Sequence, residues 1–163
     1  MKNSWLVLLF LLLSSAVLAR VDFPGENLQG ADREKSRPTV SWGMCGRQKA
    51  AWYKTTEAMR IADNVLFYQA GIGGWYKNDG SIHPSGNAAT ELLSDVEKKK
   101  FKESLMQREY PCTLDNDATH SEMRYLAKVY AATGRRMYKD GFLKGVHYLL
   151  KAQYPSGGWP QFY

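Results

Sequence analysis

Through the central and C-terminal parts of the chain, apolar and small residues recur at spacings of three and four. From Gln48 to Gln69, the residues Ala51, Thr55, Ala58, Ala62, Val65 and Gln69 share one helical face, with Trp52, Met59 and Leu66 beside them. Gly71 stands where such a helix stops. The stretch from Gly71 to Asn87 is glycine-rich, contains Pro84 and reads as a long loop. A second helix is predicted from about Glu91 to Arg108, marked by Leu92, Val96, Phe101 and Leu105 and closed by Pro111. Thr119-His120-Ser121-Glu122 has the form of a capping box, in which Thr119 caps and Glu122 reaches back. Met123, Leu126, Ala127 and Tyr130 then give an apolar face, and Gly134 ends that helix. A fourth helix is predicted from Arg136 to Gln153, with Tyr138, Phe142, Val146 and Leu149 on one face. No segment reads as a strand, so the expected class is all-α.

The N-terminus follows a different pattern. Lys2 precedes an apolar run from Trp5 to Leu13, then Ser14, Ser15 and Ala16-Val17-Leu18-Ala19. Val17 and Ala19 fit the −3 and −1 positions of a cleavage site, so residues 1–19 read as a secretory signal peptide. An uncleaved anchor is the alternative, but the run is too short for a comfortable membrane span. Residues 20–41 are polar and rich in Gly, Pro and charge, and read as a flexible leader. The expected product is secreted or periplasmic, with order beginning near Trp42 and no membrane contact after cleavage.

A length of 163 residues suits one domain, and 44% hydrophobic residues suit a folded core. The charge of +6 favours acidic partners: nucleic acid, anionic lipid or acidic polysaccharide. No stripe of Arg and Lys interleaved with aromatics marks a nucleic-acid footprint, and none is expected as partner. Lys98, Lys99 and Lys100 lie among Glu97 and Glu103 and read as a solvated helix face. Cys45 and Cys112 match no metal spacing. Export permits a disulfide between them, and two free buried thiols are the alternative.

One internal repeat organises the chain. Gln69-Ala70-Gly71-Ile72-Gly73-Gly74-Trp75-Tyr76-Lys77 aligns without gaps to Gln153-Tyr154-Pro155-Ser156-Gly157-Gly158-Trp159-Pro160-Gln161, at an offset of 84 residues. In both copies a predicted helix ends, paired glycines allow a turn that a Cβ would block, and a Trp follows. Stacked helical hairpins present such turns on one rim.

Four segments carry a family resemblance. They are Ser41-Trp42-Gly43 with Ala51-Trp52-Tyr53; Arg60 to Gln69 followed by Gly73-Gly74-Trp75-Tyr76-Lys77-Asn78; Thr113-Leu114-Asp115-Asn116-Asp117-Ala118-Thr119 followed by Glu122 to Leu126; and Phe142 to Gly145 continuing through Gln153 to Tyr163. In order and spacing they resemble the N-terminal part of the catalytic module of pectate lyases of polysaccharide lyase family 10. The resemblance implies an incomplete (α/α) toroid over residues 42–163 and eliminative cleavage of polygalacturonate, assisted by calcium. It also implies an arginine base, expected beyond Tyr163, so that this chain alone is expected to be inactive. The sequence departs from the family at Tyr76, in place of a proline; at Asp117, in place of a glycine; and at Pro111-Cys112, which precede the acidic motif.

The chemistry asks for groups that handle carboxylates. The lyase reaction removes the C5 proton, α to a charged carboxylate, and expels the group at C4. A cation or a basic side chain on that carboxylate stabilises the developing charge. By position, Asp115 is either a helix-capping aspartate or an oxygen ligand, and the resemblance makes it the calcium ligand. Asn116 is an amide able to bond a sugar hydroxyl or carboxylate. Lys77, a surface lysine by position, becomes through the resemblance a partner for a substrate carboxylate. Asp117 receives no role. Trp75 and Trp159 either stack on sugars or wedge into packing. His83, His120 and His147 show no ligand spacing. Beside the lyase stand two rivals: a secreted, non-catalytic polygalacturonate-binding protein and a helical scaffold without a ligand.

Overall fold

The computed structural model describes residues 40–77, 86–107 and 110–163. The expected signal peptide, most of the leader, and His83 lie outside the described residues. The elements are α1 (Trp42–Cys45), a 3₁₀ turn (Ala50–Lys54), α2 (Thr56–Tyr68), α3 (Gly86–Ala89), α4 (Asp95–Gln107), α5 (His120–Thr133) and α6 (Arg136–Ala152). Among the described residues there is no strand, only the isolated antiparallel bridges Tyr76–Cys112 and Thr113–Phe162. The class is all-α, as the periodicity implies. No helix among these residues is long and apolar enough to cross a membrane.

The first predicted helix is two elements. Thr55 is extended (φ −72°, ψ 156°), and its Oγ1 accepts the Ala58 N–H at 3.2 Å, so α2 starts afresh behind a capping threonine. In α2 the buried stripe is Ala58, Ile61, Ala62, Val65 and Tyr68. The second helix begins at Asp95 rather than Glu91. Ser94 donates its N–H and hydroxyl to Glu97 Oε2 (2.8 and 2.6 Å), and the Glu97 N–H returns to Ser94 Oγ at 3.3 Å. Of its four apolar marks, Leu92 and Val96 face solvent. Phe101 carries the packing, 4.8 Å from the Tyr68 ring and 5.4 Å from the Phe67 ring between centroids.

α5 and α6 form a helical hairpin. It closes where Gly134, at φ +69°, donates its N–H to Tyr130 O. The most buried face of α6 is Tyr138, Gly141, Gly145, Tyr148 and Ala152, while Phe142, Val146 and Leu149 flank it half-buried. The glycines let α6 lie close to its neighbours. A Cβ on Gly141 would stand 2.3 Å from Leu66 Cδ2, and one on Gly145 would stand 2.6 Å from Met123 Cγ. Cys45 and Cys112 are both free and buried, so the disulfide alternative does not hold.

The two repeat copies share a hydrogen-bond pattern. Gln69 Nε2 donates to Gly73 O (2.8 Å), and Gln153 Nε2 donates to Gly157 O (3.1 Å). Trp75 Nε1 donates to Val65 O and Trp159 Nε1 to Leu149 O, both at 2.8 Å. Gly73 and Gly157 take φ +105° and +93°. The turns therefore have the same local construction and different surroundings: Trp75 is fully buried, whereas Trp159 is 45% exposed.

Candidate functional site

Three loop segments meet beside these turns. Thr113 donates its N–H to Trp75 O (3.0 Å), while Cys112 and Tyr163 exchange N–H···O bonds at 3.1 and 3.0 Å. The Cys112–Asp115 segment thus lies between the chain leaving the first Gly-Gly-Trp turn and the chain leaving the second. Thr119 fastens the arrangement. Its hydroxyl accepts the Trp75 N–H (3.0 Å) and donates to Thr113 O (2.8 Å). This corrects the expected capping role: Thr119 stands at φ +68° and makes no side-chain cap, because its hydroxyl is committed to joining two loops.

The centre of the cluster is Asp115. Its Oδ2 accepts from Lys77 Nζ at 3.0 Å and from Gln161 Nε2 at 2.8 Å. The Asp115 N–H is held by Thr113 Oγ1 at 3.0 Å. The Lys77 hydrogen bond, then those from Gln161 and the Asn116 N–H, hold the Asp115 carboxyl below its usual range. Lys77 also lies 5.7 Å from the centroid of the Phe162 ring. Lys77 and Asp115 both stay open to solvent, with side chains 30% and 36% exposed.

The expected site residues are thus partly assembled. Lys77 and Asp115 are brought together as an ion pair. Asn116 is exposed on the adjoining turn, where its backbone N–H bonds the Asp115 carboxyl. Asn116 and Asp117 take φ +52° and +60°, a region open to glycine and tolerated by Asn and Asp. Asp117, where the resembling family has glycine, needs this left-handed backbone and bonds His120 Nε2 at 3.1 Å. Trp75 is a packing wedge, fully buried with its N–H satisfied inside the protein. His147 is exposed. Sequence reasoning missed Gln161 and Phe162. A signal for Gln161 was available: it occupies the position of Lys77 in the second repeat copy.

No group of three or more His, Cys, Asp or Glu among the described residues forms a metal cluster. Calcium takes about six to eight oxygens. Asp115, kept ionised and open to solvent, suits such an ion as one hard ligand, and the described residues do not build a complete cage around it.

The family model for pectic acid lyase matches residues 69–163. Among solved structures, the chain is similar to a Family 10 polysaccharide lyase from Cellvibrio cellulosa at 29% identity, covering 75% of this chain and 30% of that one, with a TM-score of 0.45. It is similar to an aspartate-to-alanine mutant of that Cellvibrio cellulosa lyase in complex with trigalacturonic acid at 31% identity, covering 76% and 33%, also with a TM-score of 0.45. The chain spans about a third of the length of those two structures. No curated protein sequence matches it.

Proposed function

The chain belongs to the pectic acid lyase family, and from that premise we propose that its Lys77–Asp115–Gln161 rim is the substrate-binding part of a polygalacturonate β-elimination site. The observation that carries the reading is the convergence of three loops on one solvent-open carboxylate and one ammonium. The substrate is a chain of galacturonates. Removing the C5 proton and breaking the C4–O bond leaves a C4–C5 double bond on one product and a hydroxyl on the other. The barrier lies in placing charge beside a carboxylate that is already negative.

Lys77 is matched to that task. Its ammonium can exchange Asp115 for a substrate carboxylate while keeping one salt link throughout. Gln161 holds Asp115 in place when Lys77 moves. Asn116, free on the turn, bonds a sugar hydroxyl or carboxylate. Asp115 would be one ligand of a calcium ion, with further oxygens from substrate carboxylates and water. Such an ion supplies charge neutralisation beside C5. In this reading the rim binds and polarises the substrate, and the base, an arginine by the family resemblance, is a separate group. The reading also includes closure of the helical hairpins into an (α/α) toroid in the whole enzyme, and secretion after cleavage of residues 1–19.

Incubation with polygalacturonate and calcium, followed by both bound saccharide and absorbance of the unsaturated product, tests the reading. Binding with little product supports it. Absence of any binding to the acidic polymer contradicts it. If a longer chain that includes this module binds without eliminating, the second reading, a non-catalytic polygalacturonate-binding protein, takes its place.

A further inference from the structure

The turn that carries Asp115 also contributes to a cleft of about 240 Å3 whose walls include neither Lys77 nor Asp115. Its lining includes Trp42 of α1, Arg47 just beyond it, Asp117 of the turn, and His120, Arg124 and Tyr125 of α5. The two sides are fixed to each other. Lys128 Nζ donates to Gly46 O at 2.6 Å, and Trp42 meets Tyr125 edge-on with centroids 5.4 Å apart.

Charge sets this cleft apart. Lys77 and Asp115 balance each other, so without a bound cation the candidate site carries no net charge. In the cleft, neither Arg47 nor Arg124 has an ion-pair partner among the described residues, and both are exposed. The one acid of the wall, Asp117, is bonded to His120 at 3.1 Å. Two guanidiniums from separate elements, facing one hollow, suit the planar fork of a carboxylate. Half-buried Trp42 adds an aromatic surface that suits a sugar face rather than a bare anion.

We propose that this cleft binds a second uronate residue of the polygalacturonate chain, with Arg47 and Arg124 on its carboxylate and Trp42 against its ring. The inference rests on the proposed substrate and extends it from one subsite to two. It gives the acidic turn 115–117 a wall in each.

The test uses the full chain, titrated by calorimetry with trigalacturonate and with its fully methyl-esterified form, while the Trp42 indole N–H is followed by NMR. The acid form is expected to bind and to shift the Trp42 signal, and the ester to bind weakly. Arg124→Gln and Arg47→Gln are each expected to weaken binding about tenfold, and Arg124→Lys less. Circular dichroism checks folding. If Arg124→Gln does not fold, Arg47→Gln in its exposed segment carries the test alone. Folded arginine variants with unchanged affinity overturn the cleft and leave the proposed function standing. A wild-type chain without affinity for trigalacturonate overturns both. Inorganic phosphate that competes as well as a uronate, with Trp42 unshifted, reduces the cleft to a general anion site and also overturns the proposal.

Discussion

Lys77 and Gln161, 84 residues apart, occupy the same place in two copies of one turn and donate to the same oxygen, Asp115 Oδ2. The repeat therefore does more than stack hairpins. Each copy delivers one long polar side chain to the acidic loop threaded between them. One position became a cation and the other a neutral amide, so Asp115 is held twice while its charge is cancelled once.

The two turns separate local strain from packing. A Cβ on Gly73 would stand 2.3 Å from Lys144 O at φ +105°, whereas one on Gly157 meets nothing within 4 Å at φ +93°. Gly157→Ala is expected to cost about 1 kcal/mol through backbone strain. Gly73→Ala is expected to exceed that by about 2 kcal/mol, because the α6 backbone must shift. Urea unfolding of both variants measures the difference, and equal losses contradict the assigned packing.

Thr119→Val keeps the shape and removes the hydroxyl that joins the loops. The Trp75 N–H then loses its acceptor and Thr113 O its donor, both buried. The expected cost is about 2–4 kcal/mol, seen as a lower denaturation midpoint. A change below about 0.5 kcal/mol would show that the loops are held by something else.

Both thiols should be silent in the native protein. Burial pushes Cys45 and Cys112 up to about 12, leaving almost no thiolate at pH 8. A thiol reagent such as dithionitrobenzoate should react slowly with folded protein and with two thiols per chain after denaturation. Fewer than two after non-reducing denaturation would indicate a disulfide.

The Asp115 carboxyl should titrate below its ordinary value of 3.8, with Lys77 the largest cause. A depressed folded-state value means that the interaction stabilises the protein above the ordinary value and is lost as pH falls through the folded one. Carboxyl carbon NMR is expected to show this in the wild type and to show Lys77→Met moving the titration upward. An unchanged titration in Lys77→Met contradicts the ion pair.

The helix class was legible because a 3.6-residue period survives in the apolar positions, and the repeat because a Gln, paired glycines and a Trp recur in register. The buried face of α6 was not. Gly141 and Gly145 carry no hydrophobic signal, so the pattern favoured Phe142, Val146 and Leu149, which flank the true contact line. Thr55 fits a helical face and a helix cap equally well, which hid the break before α2. The four-residue helices α1 and α3 are too short for any period to register. In the site, Lys77 and Asp115 had motifs to mark them, whereas Gln161 was marked only by standing where Lys77 stands in the first repeat copy.

The central claim is that the rim around Asp115 binds polygalacturonate. Its most direct measurement is the affinity of the chain for trigalacturonate, with and without calcium, in the wild type and in the Asp115→Ala and Asp117→Ala variants. The account predicts calcium-enhanced binding that falls at least tenfold in Asp115→Ala and does not fall in Asp117→Ala, which removes a negative charge from the wall of the neighbouring cleft. Equal affinities for all three proteins would contradict it.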